Sequence, residues 1–360
     1  MMADGEPACH RVVFLGAGRS PSILTETVSL PELKPGEILA KVRLATICSS
    51  DLHTIHGKRK ADIPCALGHE GVLEVVAHKR GSESRLEVGQ RITFTVVDVC
   101  HNCRRCQAGL PQKCLSFFKY GHSQITSQRS LSGCYATHIV LHPGTCIFPI
   151  PDHITDKMAA PINCSLATMV NAVSSFSHRD ASSQSVLLQG AGLLGVYGCA
   201  LLHSLGFGRV YVSDVDGKRL STIPLFGGTP IVAGDESVCF KEDELDIVIE
   251  VCGVSGIIKS GIQLLKPGGI YVLVGLVHPD SYMNITAEAI IRKCLTIKGI
   301  HNYAPEHLEK AIAFMSKFSR KYPFEEIVGV IYPISEYETA FQKAREGSFR
   351  RVGLDPSLHS

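Results

Sequence analysis

The chain has 360 residues, 45% of them apolar, and its 36 basic and 34 acidic side chains leave a formal net charge of +2. This balance gives no general electrostatic basis for binding nucleic acid or an anionic membrane. The length exceeds the size at which one hydrophobic core stops growing, so we expect two domains. Apolar runs stay short of the ~20 residues that span a bilayer, and the start MMADGEPACHR has the features of neither a signal nor a transit peptide. We therefore expect a cytoplasmic protein.

The first part of the chain, to about Val140, is rich in short β-like runs that Gly, Pro and charged residues separate. Examples are EILAKVRLATI, GVLEVVAHKR and RITFTVV. Apolar and β-branched runs bounded by turn residues are typical of strands. The pattern predicts a compact, mostly β domain.

Three short segments carry side chains that are able to bind a metal. They are ATICSSDLHTIHG with Cys48, ALGHEG with His69 and Glu70, and PINCSLATMV with Cys164. Taken alone, each segment is ambiguous. A lone His is often a hydrogen-bonded structural residue, and a lone Cys is often an inert buried thiol.

A run of four close cysteines, CHNCRRCQAGLPQKC, gives a stronger signal for a metal. Thiolates at this spacing can surround one tetrahedral Zn²⁺. A disulfide knot is one alternative, although such knots belong to oxidising compartments. An iron–sulfur cluster is another, but the bacterial ferredoxin run needs Pro after its last Cys, where this chain has Leu115. The ligands predicted by the run are Cys100, Cys103, Cys106 and Cys114.

From Ser185 onward, apolar strands alternate with helical stretches: SVLLQG, GLLGVYGCALLHSLG, RVYVSD, LDIVIEV, GIYVLVGL and LTIKGI. Strands that alternate with helices indicate a parallel sheet with crossover helices. After Gly299, the segment PEHLEKAIAFMSKF predicts an amphipathic helix, because Leu308, Ala311, Ile312 and Met315 recur at helical spacing.

A glycine-rich turn, Gly190-Ala191-Gly192-Leu193-Leu194-Gly195, joins the strand SVLLQ to the helix that follows. In that context, the glycines allow a tight turn, backbone approach to a pyrophosphate and close helix–strand packing. Asp214 ends the next strand and can accept hydrogen bonds from ribose hydroxyls, so NAD is favoured over NADP. Arg219 can contact the ribose or phosphate side.

Two features depart from a regular fold of this kind. Only AGDESVCFKEDEL separates the strand near Ile231 from the next one, so the crossover helix within residues 233–245 is expected to be reduced or lost. Pro224 interrupts the helical pattern KRLSTIPLFG, where an interior Pro costs about 3 kcal/mol unless it marks a helix end. Both departures fall on the adenosine side of the nucleotide domain.

The order of these motifs resembles that of the zinc-containing medium-chain dehydrogenases, over nearly the whole chain. The resemblance implies an α/β protein with a GroES-like, mostly β catalytic domain over residues 1–165 and 302–360. A Rossmann domain with a doubly wound parallel sheet would bind NAD over residues 166–301. Two zinc ions per subunit are implied, one structural in the four-cysteine lobe and one catalytic.

The same resemblance assigns the catalytic zinc to Cys48, His69 and Cys164, with Glu70 as an occasional fourth ligand. Two thiolates and a neutral imidazole leave one position open for an alcohol oxygen, which the metal acidifies. Ser50 and His53 would relay the released proton to water. Asp51 would orient His69 through its other ring nitrogen.

Further contacts to the cofactor follow from the family pattern. Thr168 would touch the nicotinamide, and Arg350 would contact the pyrophosphate. The complete set of implied cofactor-binding residues is Gly190, Gly192, Leu194, Gly195, Asp214, Arg219, Thr168, Val274 and Arg350.

The stretches GLPQKCLSFFKYGHS and TIKGIHNYAPEHLEKAI are similar to the alcohol dehydrogenases associated with phosphonate catabolism. This likeness implies a substrate that bears a phosphonate. The cationic or polar side chains expected to meet it by charge-assisted hydrogen bonds are Lys119, His122, Arg292 and His301.

The sequence therefore predicts a zinc-dependent enzyme that transfers a hydride between an alcohol and NAD, giving an aldehyde or ketone, and the second likeness implies that the alcohol bears a phosphonate. A polyol or amino-alcohol dehydrogenase is the alternative within the same class. A catalytically silent NAD- and zinc-binding sensor or structural protein is the alternative of another class. The expected partners are a small-molecule substrate and further copies of the chain, as a homodimer or homotetramer, without nucleic acid or membrane.

Overall fold

A computed structural model describes residues 8–82, 84–178 and 180–358. The chain divides into two compact units. One comprises the residues up to 164 together with 304–319 and 324 onward, and the other comprises 165–303 and 320–323. Within the described residues, no helix combines the length and apolar character that a membrane crossing requires.

The strands, numbered in chain order, are β1 (Ala8–Phe14), β2 (Ile23–Ser29), β3 (Ile38–Thr46), β4 (Cys65–Ala66), β5 (Glu70–His78), β6 (Arg91–Phe94), β7 (Val97–Asp98), β8 (Phe118–Lys119), β9 (His138–Leu141), β10 (Ile147–Pro149), β11 (Ser185–Gln189), β12 (Arg209–Asp214), β13 (Thr229–Val232), β14 (Leu245–Glu250), β15 (Leu265–Leu273), β16 (Thr296–Gly299), β17 (Val328–Pro333) and β18 (Arg351–Asp355).

The α-helices are α1 (Ser49–Ile55), α2 (Arg104–Gln107), α3 (Asp156–Ala159), α4 (Ala167–Val173), α5 (Leu193–Ser204), α6 (Gly217–Leu220), α7 (Glu236–Cys239), α8 (Ile258–Leu264), α9 (Ala287–Arg292), α10 (Pro305–Phe318) and α11 (Tyr337–Glu346). A π-helical turn covers Ile162–Leu166, and a 3₁₀ turn covers Ile223–Phe226.

The first unit is built mainly from β-strands. Its largest sheet has the order β10-β6-β5-β3-β18-β17, with β9 also paired to β3, while β2-β1-β4 and β7-β8 form two smaller sheets. Strand β3 is buried along most of its length, with Lys41 exposed and Arg43 half-buried, as suits a strand in the interior of the sheet. The C-terminal strand β18 pairs antiparallel with β3 and thereby joins the end of the chain to this sheet.

The second unit contains a six-stranded sheet in the order β13-β12-β11-β14-β15-β16. All five strand pairs in it are parallel, so helices must carry the chain back across the sheet. Every residue of β11 is buried, as expected of a central strand covered on both faces. The predicted α/β fold class, with its mostly β part and its parallel-sheet part, is confirmed.

Both predicted irregularities of the second unit are present. Helix α7 has four residues, so the crossover between β13 and β14 keeps little more than one helical turn. Helix α6 ends at Leu220, and Pro224 lies in the first turn of the 3₁₀ segment that follows. That position tolerates Pro, because the amide it lacks would have no partner in the first turn.

Candidate metal and nucleotide sites

Helix α1 begins at the first candidate ligand. Cys48 precedes the helix in an extended conformation, and Asp51, in the first turn, accepts a hydrogen bond from the Cys48 amide at 3.1 Å. This contact is half of a capping box, so the spacing between Cys48 and Asp51 fixes where the helix starts. The local sequence therefore fixes the helix end at which Cys48 lies.

The Asp51 carboxylate also faces His69, which precedes strand β5. Asp51 Oδ1 lies 3.3 Å from His69 Nδ1, and Asp51 Oδ2 accepts a hydrogen bond from the Tyr135 hydroxyl at 2.8 Å. All three residues are buried. A carboxylate at Nδ1 favours the tautomer with its proton there, which leaves Nε2 with a free lone pair.

Cys164 lies in the π-helical turn, a distortion that is frequent at functional sites. The neighbouring Asn163 anchors this turn: its Nδ2 donates to the carbonyls of His69 at 3.0 Å and Phe94 at 3.1 Å, and its Oδ1 accepts from the Gly71 amide at 3.3 Å. Sequence analysis did not single out Asn163. The sequence feature that could have indicated a role for Asn163 is its position next to Cys164.

The ligand atoms of Cys48, His69, Glu70 and Cys164 all lie within 4.8 Å of one another. The Cys164 sulfur is 3.5 Å from His69 Nε2. Tetrahedral zinc with a thiolate at 2.3 Å and an imidazole at 2.0–2.1 Å separates these two atoms by about 3.5 Å. The donor types and their spacing therefore fit zinc.

Glu70 is engaged by a residue that the sequence analysis missed. Arg351, the first residue of β18, donates from Nε to Glu70 Oε2 at 2.7 Å and from Nη2 to Oε1 at 2.9 Å. Thr46 adds a hydrogen bond to Oε2 at 2.6 Å. Arg351 Nη2 also lies 3.8 Å from the Cys48 sulfur. Glu70 Oε2 thus accepts two hydrogen bonds, whereas Oε1 accepts one and keeps a lone pair that a metal could use.

Electrostatics in this cluster follow from burial and close charges. The pKa of the Cys48 thiol lies well below its ordinary value, because the Cys164 thiol donates to it and Arg351 is near. Burial lowers the pKa of His69, but the Asp51 carboxylate outweighs this effect and raises it to about 10. A metal cation would reverse the preference for the protonated imidazole, since it needs the Nε2 lone pair.

Of the two predicted relay residues, Ser50 lies beside a candidate zinc ligand and His53 lies further along helix α1. Ser50 Oγ is 3.5 Å from His69 Nε2, so it lies beside the candidate ligands. His53 is half-buried one helical turn later on α1, and its carbonyl accepts a hydrogen bond from the Arg59 amide. Residues three apart share one face of a helix, which is the geometry a relay would need.

The four cysteines of the run come together as one group. Sulfur separations are 3.5 Å for Cys103–Cys106, 3.9 Å for Cys103–Cys114 and 3.4 Å for Cys100–Cys114. A tetrahedral Zn²⁺ with 2.3 Å bonds sets its sulfur atoms about 3.8 Å apart. The separations are too long for disulfide bonds, and several metal atoms in a cluster would spread the sulfurs farther apart. Backbone amides, that of Leu115 foremost, lower the pKa of Cys103 to about 6, which favours the thiolate.

The glycine-rich turn leads from β11 into α5 in the predicted context. Gly190 has φ +125°, and a Cβ there would lie 2.9 Å from the Cys252 Cβ. A Cβ on Gly195 would lie 1.9 Å from the Gly190 carbonyl oxygen, whereas one on Gly192 would meet nothing within 4 Å. The fold itself therefore requires glycine at 190 and 195. The open space at Gly192 fits close approach by a pyrophosphate.

The Asp214 side chain accepts hydrogen bonds from two backbone amides, one of them in the glycine-rich turn. Its Oδ2 accepts from the Ala191 amide at 2.7 Å and its Oδ1 from the Asp216 amide at 2.9 Å. Each oxygen keeps a second lone pair for a ribose hydroxyl. Arg219 lies 3.5 Å from Asp216, in a half-exposed ion pair.

The other predicted cofactor contacts lie on several elements. Leu194 and Thr168 are half-buried on α5 and α4, and Val274 is buried directly after β15. Arg350 is half-buried directly before β18. Their roles toward a nucleotide stay predictions.

The four candidate contacts to a substrate anion fall into two pairs. Lys119 and His122 belong to the first unit, where His122 packs against His69 with 4.8 Å between ring centroids. Arg292 and His301 belong to the second unit. Arg292 is exposed on α9 and forms an ion pair with Glu288, which satisfies its charge locally.

Two family models match the chain. An alcohol dehydrogenase GroES-like domain covers residues 34–152, and a glucose dehydrogenase C-terminus covers residues 158–349, more than half of the chain. The chain belongs to the zinc-containing medium-chain dehydrogenases. The predicted enzyme class is confirmed: this dehydrogenase transfers hydride between an alcohol and a nicotinamide cofactor, and it uses zinc.

Individual relatives are distant but match over nearly their full length. L-threonine 3-dehydrogenase from Proteus mirabilis is 28% identical over 93% of this chain and 96% of its own. An alcohol dehydrogenase from Thermotoga maritima has a TM-score of 0.89 at 24% identity, covering 98% of this chain and 100% of its own. A protein from Sinorhizobium meliloti described as a zinc-binding dehydrogenase, solved with NADP, has a TM-score of 0.85 at 22% identity, with 98% and 100% coverage. At these identities the solved structures support the fold.

Proposed function

We propose that this dehydrogenase oxidises a small alcohol, or reduces the matching carbonyl compound, at a zinc held by Cys48, His69 and Cys164. The observation that carries the proposal is the convergence of these three side chains, from three separate segments, at separations that suit one tetrahedral metal. When bound, zinc acts as a Lewis acid toward the alcohol and the nicotinamide accepts the hydride.

The residues around the ligands have defined tasks in this proposal. Asp51 holds the Nδ1 proton of His69 and so presents Nε2 as a lone pair. Arg351 places positive charge beside the Cys48 sulfur and favours its thiolate. Ser50 Oγ, next to His69 Nε2, takes up the proton of the alcohol hydroxyl, and His53 carries it onward to water.

We assign the second zinc to the four-cysteine group, where it contributes to folding rather than to chemistry. These cysteines lie on a lobe formed by residues 100–114, whose helical structure is two short turns, α2 and residues 111–113. Metal binding by such a lobe contributes folding free energy directly. The two-zinc stoichiometry is part of the proposal.

NAD is the proposed cofactor, since the Asp214 carboxylate would repel the 2′-phosphate of NADP. The test is the ratio of kcat/KM for NAD to that for NADP. We expect a ratio above about 10 in the wild type, which Asp214→Ser should lower toward 1. An unchanged ratio in the variant would remove Asp214 from this role.

A second candidate substrate class is an amino alcohol, favoured by the name of the L-threonine 3-dehydrogenase relative. The phosphonate-bearing alcohols predicted from sequence are a third possibility. L-threonine, through its carboxylate, and a hydroxyalkylphosphonate both carry an anionic group near the hydroxyl. An NAD-reduction screen on zinc-loaded protein separates them by turnover of L-threonine, a hydroxyalkylphosphonate and a neutral alcohol.

We also propose that the protein is a homodimer or homotetramer. Strand β16 lies at one edge of the parallel sheet, and exposed apolar side chains, Val277, Tyr282 and Ile291, belong to the same unit. Unpaired strand edges and exposed apolar groups are features of protein interfaces. Light scattering would measure the mass, and a monomer at micromolar concentration would contradict the proposal.

The decisive experiment for the zinc site combines metal analysis with two variants. Cys48→Ser and His69→Ala should each reduce the zinc content from two to one per subunit and abolish turnover while sparing NAD binding. Exposed Cys239→Ser serves as the thiol control and should keep both zinc ions. Full turnover by both ligand variants would refute the mechanism.

A further inference from the structure

Strand β8 ends at Lys119, and the turn that follows it places His122 beside the candidate zinc ligand His69. The His122 amide donates to the Lys119 carbonyl at 3.3 Å, and the Lys119 amide donates to Ser123 Oγ at 3.0 Å, so the turn is internally fixed. The His122 ring lies against that of His69, tilted by 39°. The turn therefore borders the place where the substrate hydroxyl is proposed to bind.

His122 is buried, with 8% of its surface exposed, yet neither ring nitrogen has a hydrogen-bond partner among the residues that the structure describes. Burying a polar group without a partner costs free energy, and native proteins rarely leave two such atoms on one side chain. Most buried imidazoles that serve the fold alone have a protein partner for at least one ring nitrogen. The unpaired nitrogens point to a bound molecule as the missing partner.

The charges of two cations, Lys119 and Arg59, act on this imidazole, as does the neighbouring His69. For the described part of the chain, no carboxylate forms an ion pair with either cation. Burial, and then the charge of Arg59, lower the pKa of Lys119 to about 8, against the opposing charges of Cys164, Cys48 and Asp51. An anion placed among them would relieve the repulsion and gain charge-assisted hydrogen bonds.

The nearby carboxylates are already committed. Asp51 accepts from Tyr135 and the Cys48 amide and faces His69, while Glu70 is held by Arg351 and Thr46. Both carboxylates therefore have other partners. The charges of Asp51, Cys48 and Cys164 offset the lowered pKa of Lys119 only in part, so an anion from outside the cluster would still be attracted to it.

We infer that Lys119, His122 and Arg59 form a subsite for an anionic group of the substrate, a phosphonate or a carboxylate a few bonds from the reacting hydroxyl. This inference rests on the proposed function, because the hydroxyl position is defined by the candidate zinc ligands. The 4.8 Å between the His122 and His69 rings limits the spacer to a short one. His122 donates a hydrogen bond to the anion, and the two cations supply the charge.

The subsite also discriminates against a neighbouring ammonium group. L-threonine carries an ammonium between its hydroxyl and its carboxylate, and like charges in close contact disfavour binding. A hydroxy acid without the amine, such as 3-hydroxybutyrate, is therefore expected to be the better substrate. We therefore expect the substrate preference of this chain to differ from the activity for which the L-threonine 3-dehydrogenase relative is named.

The first test compares four probes on the zinc-loaded, full-length protein: 2-hydroxypropylphosphonate, 3-hydroxybutyrate, L-threonine and neutral 2-butanol. We expect kcat/KM for one of the two hydroxy anions to exceed that for 2-butanol by at least about tenfold. The phosphonate and carboxylate arms show which anion fits. Equal or better turnover of 2-butanol than of both anions overturns the inference and leaves the proposed zinc chemistry intact.

The second test uses variants with a matched control. Lys119→Met and Arg59→Met should each raise KM for the preferred anion about tenfold or more and lower the ratio of kcat/KM for that anion to kcat/KM for 2-butanol by a similar factor. Lys60→Met, an exposed lysine beside Arg59, should change neither. Equal losses on charged and neutral alcohols would show a structural role and overturn the subsite.

Binding must be measured apart from turnover. Calorimetric titration with 2-hydroxypropylphosphonate and with 3-hydroxybutyrate should show affinity that Lys119→Met weakens about tenfold, whether or not the bound alcohol is oxidised. If both anions bind in this way but no alcohol is oxidised, the proposed function fails and the anion subsite stands. If neither anion binds the wild type, or Lys119→Met leaves the affinity unchanged, the subsite is wrong.

Discussion

Arg351 and Glu70, 281 residues apart in sequence, form a buried two-point ion pair beside the candidate zinc ligands. Strand β18 delivers the arginine by pairing with β3, while Glu70 opens the neighbouring strand β5. The same guanidinium lies 3.8 Å from the Cys48 sulfur. Strand β18 thus supplies a positive charge beside Glu70 and the Cys48 sulfur.

Replacing Arg351 by Met should destabilise the protein by about 3–5 kcal/mol, because it leaves Glu70 as a buried charge without its partner. Urea-induced unfolding of the zinc-loaded protein measures the change in the free energy of unfolding. The double variant Arg351→Met, Glu70→Gln should recover part of the loss, since the uncompensated charge is gone. Arg350→Met, one residue away, is the control and should change stability little.

The sequence predicted the ligand segments but could not reveal this ion pair. Cys48, His69 and Cys164 lie in short motifs with recognisable spacing, and the structure brings their ligand atoms together. Arg350 and Arg351 are adjacent and chemically identical, so the register of β18 decides which of them points inward. Register depends on pairing with β3, a contact between distant segments that local sequence patterns do not encode.

A similar limit applies to Asn163 and His122. Both side chains are buried among segments far apart in the sequence, and their roles depend on which carbonyls or rings they meet there. By contrast, the glycine turn was predictable, since the requirements at Gly190 and Gly195 arise within one strand–turn–helix segment. The local sequence determines the geometry of a short segment such as this turn, whereas it does not determine polar contacts between distant segments.

Asp51→Asn should weaken binding of the catalytic zinc by about 10- to 100-fold, because an amide no longer fixes the protonated Nδ1 of His69. Competition with a chelator measures the affinity. Tyr135→Phe is the matched control, since it removes another hydrogen bond to the same carboxylate without altering its charge. Equal affinity in Asp51→Asn and the wild type would show that the 3.3 Å contact has no part in metal binding.

Cys103→Ser should remove one zinc per subunit and lower the melting temperature, while the remaining catalytic zinc stays bound. Backbone amides, that of Leu115 foremost, lower the pKa of the Cys103 thiol to about 6, so the thiolate that zinc requires is present at neutral pH. Metal analysis and a thermal melt give the readouts. Exposed Cys239→Ser should change neither, and an equally stable, two-zinc Cys103→Ser protein would contradict the structural assignment.

Two glycine variants should separate folding from nucleotide binding. Gly195→Ala places a Cβ 1.9 Å from the Gly190 carbonyl oxygen, so it should lower both stability and NAD affinity. Gly192→Ala meets no protein atom within 4 Å and should keep stability close to that of the wild type while weakening NAD binding. Thermal melts and NAD fluorescence titrations test the pair. Unchanged NAD affinity in Gly192→Ala would place the pyrophosphate elsewhere.

The preference for anionic substrates should fall as the pH rises through about 8. Burial and the charge of Arg59 lower the pKa of Lys119 to about 8, against the opposing effects of Cys164, Cys48 and Asp51. Lys119 is therefore positively charged below this pH, where it attracts an anion, and neutral above it. The ratio of kcat/KM for 3-hydroxybutyrate, or for 2-hydroxypropylphosphonate if that is the better substrate, to that for 2-butanol isolates this effect, because titrations of shared catalytic groups cancel. Lys119→Arg keeps its charge at every accessible pH, so its ratio should stay flat, and a flat ratio in the wild type would exclude Lys119 as the source of charge.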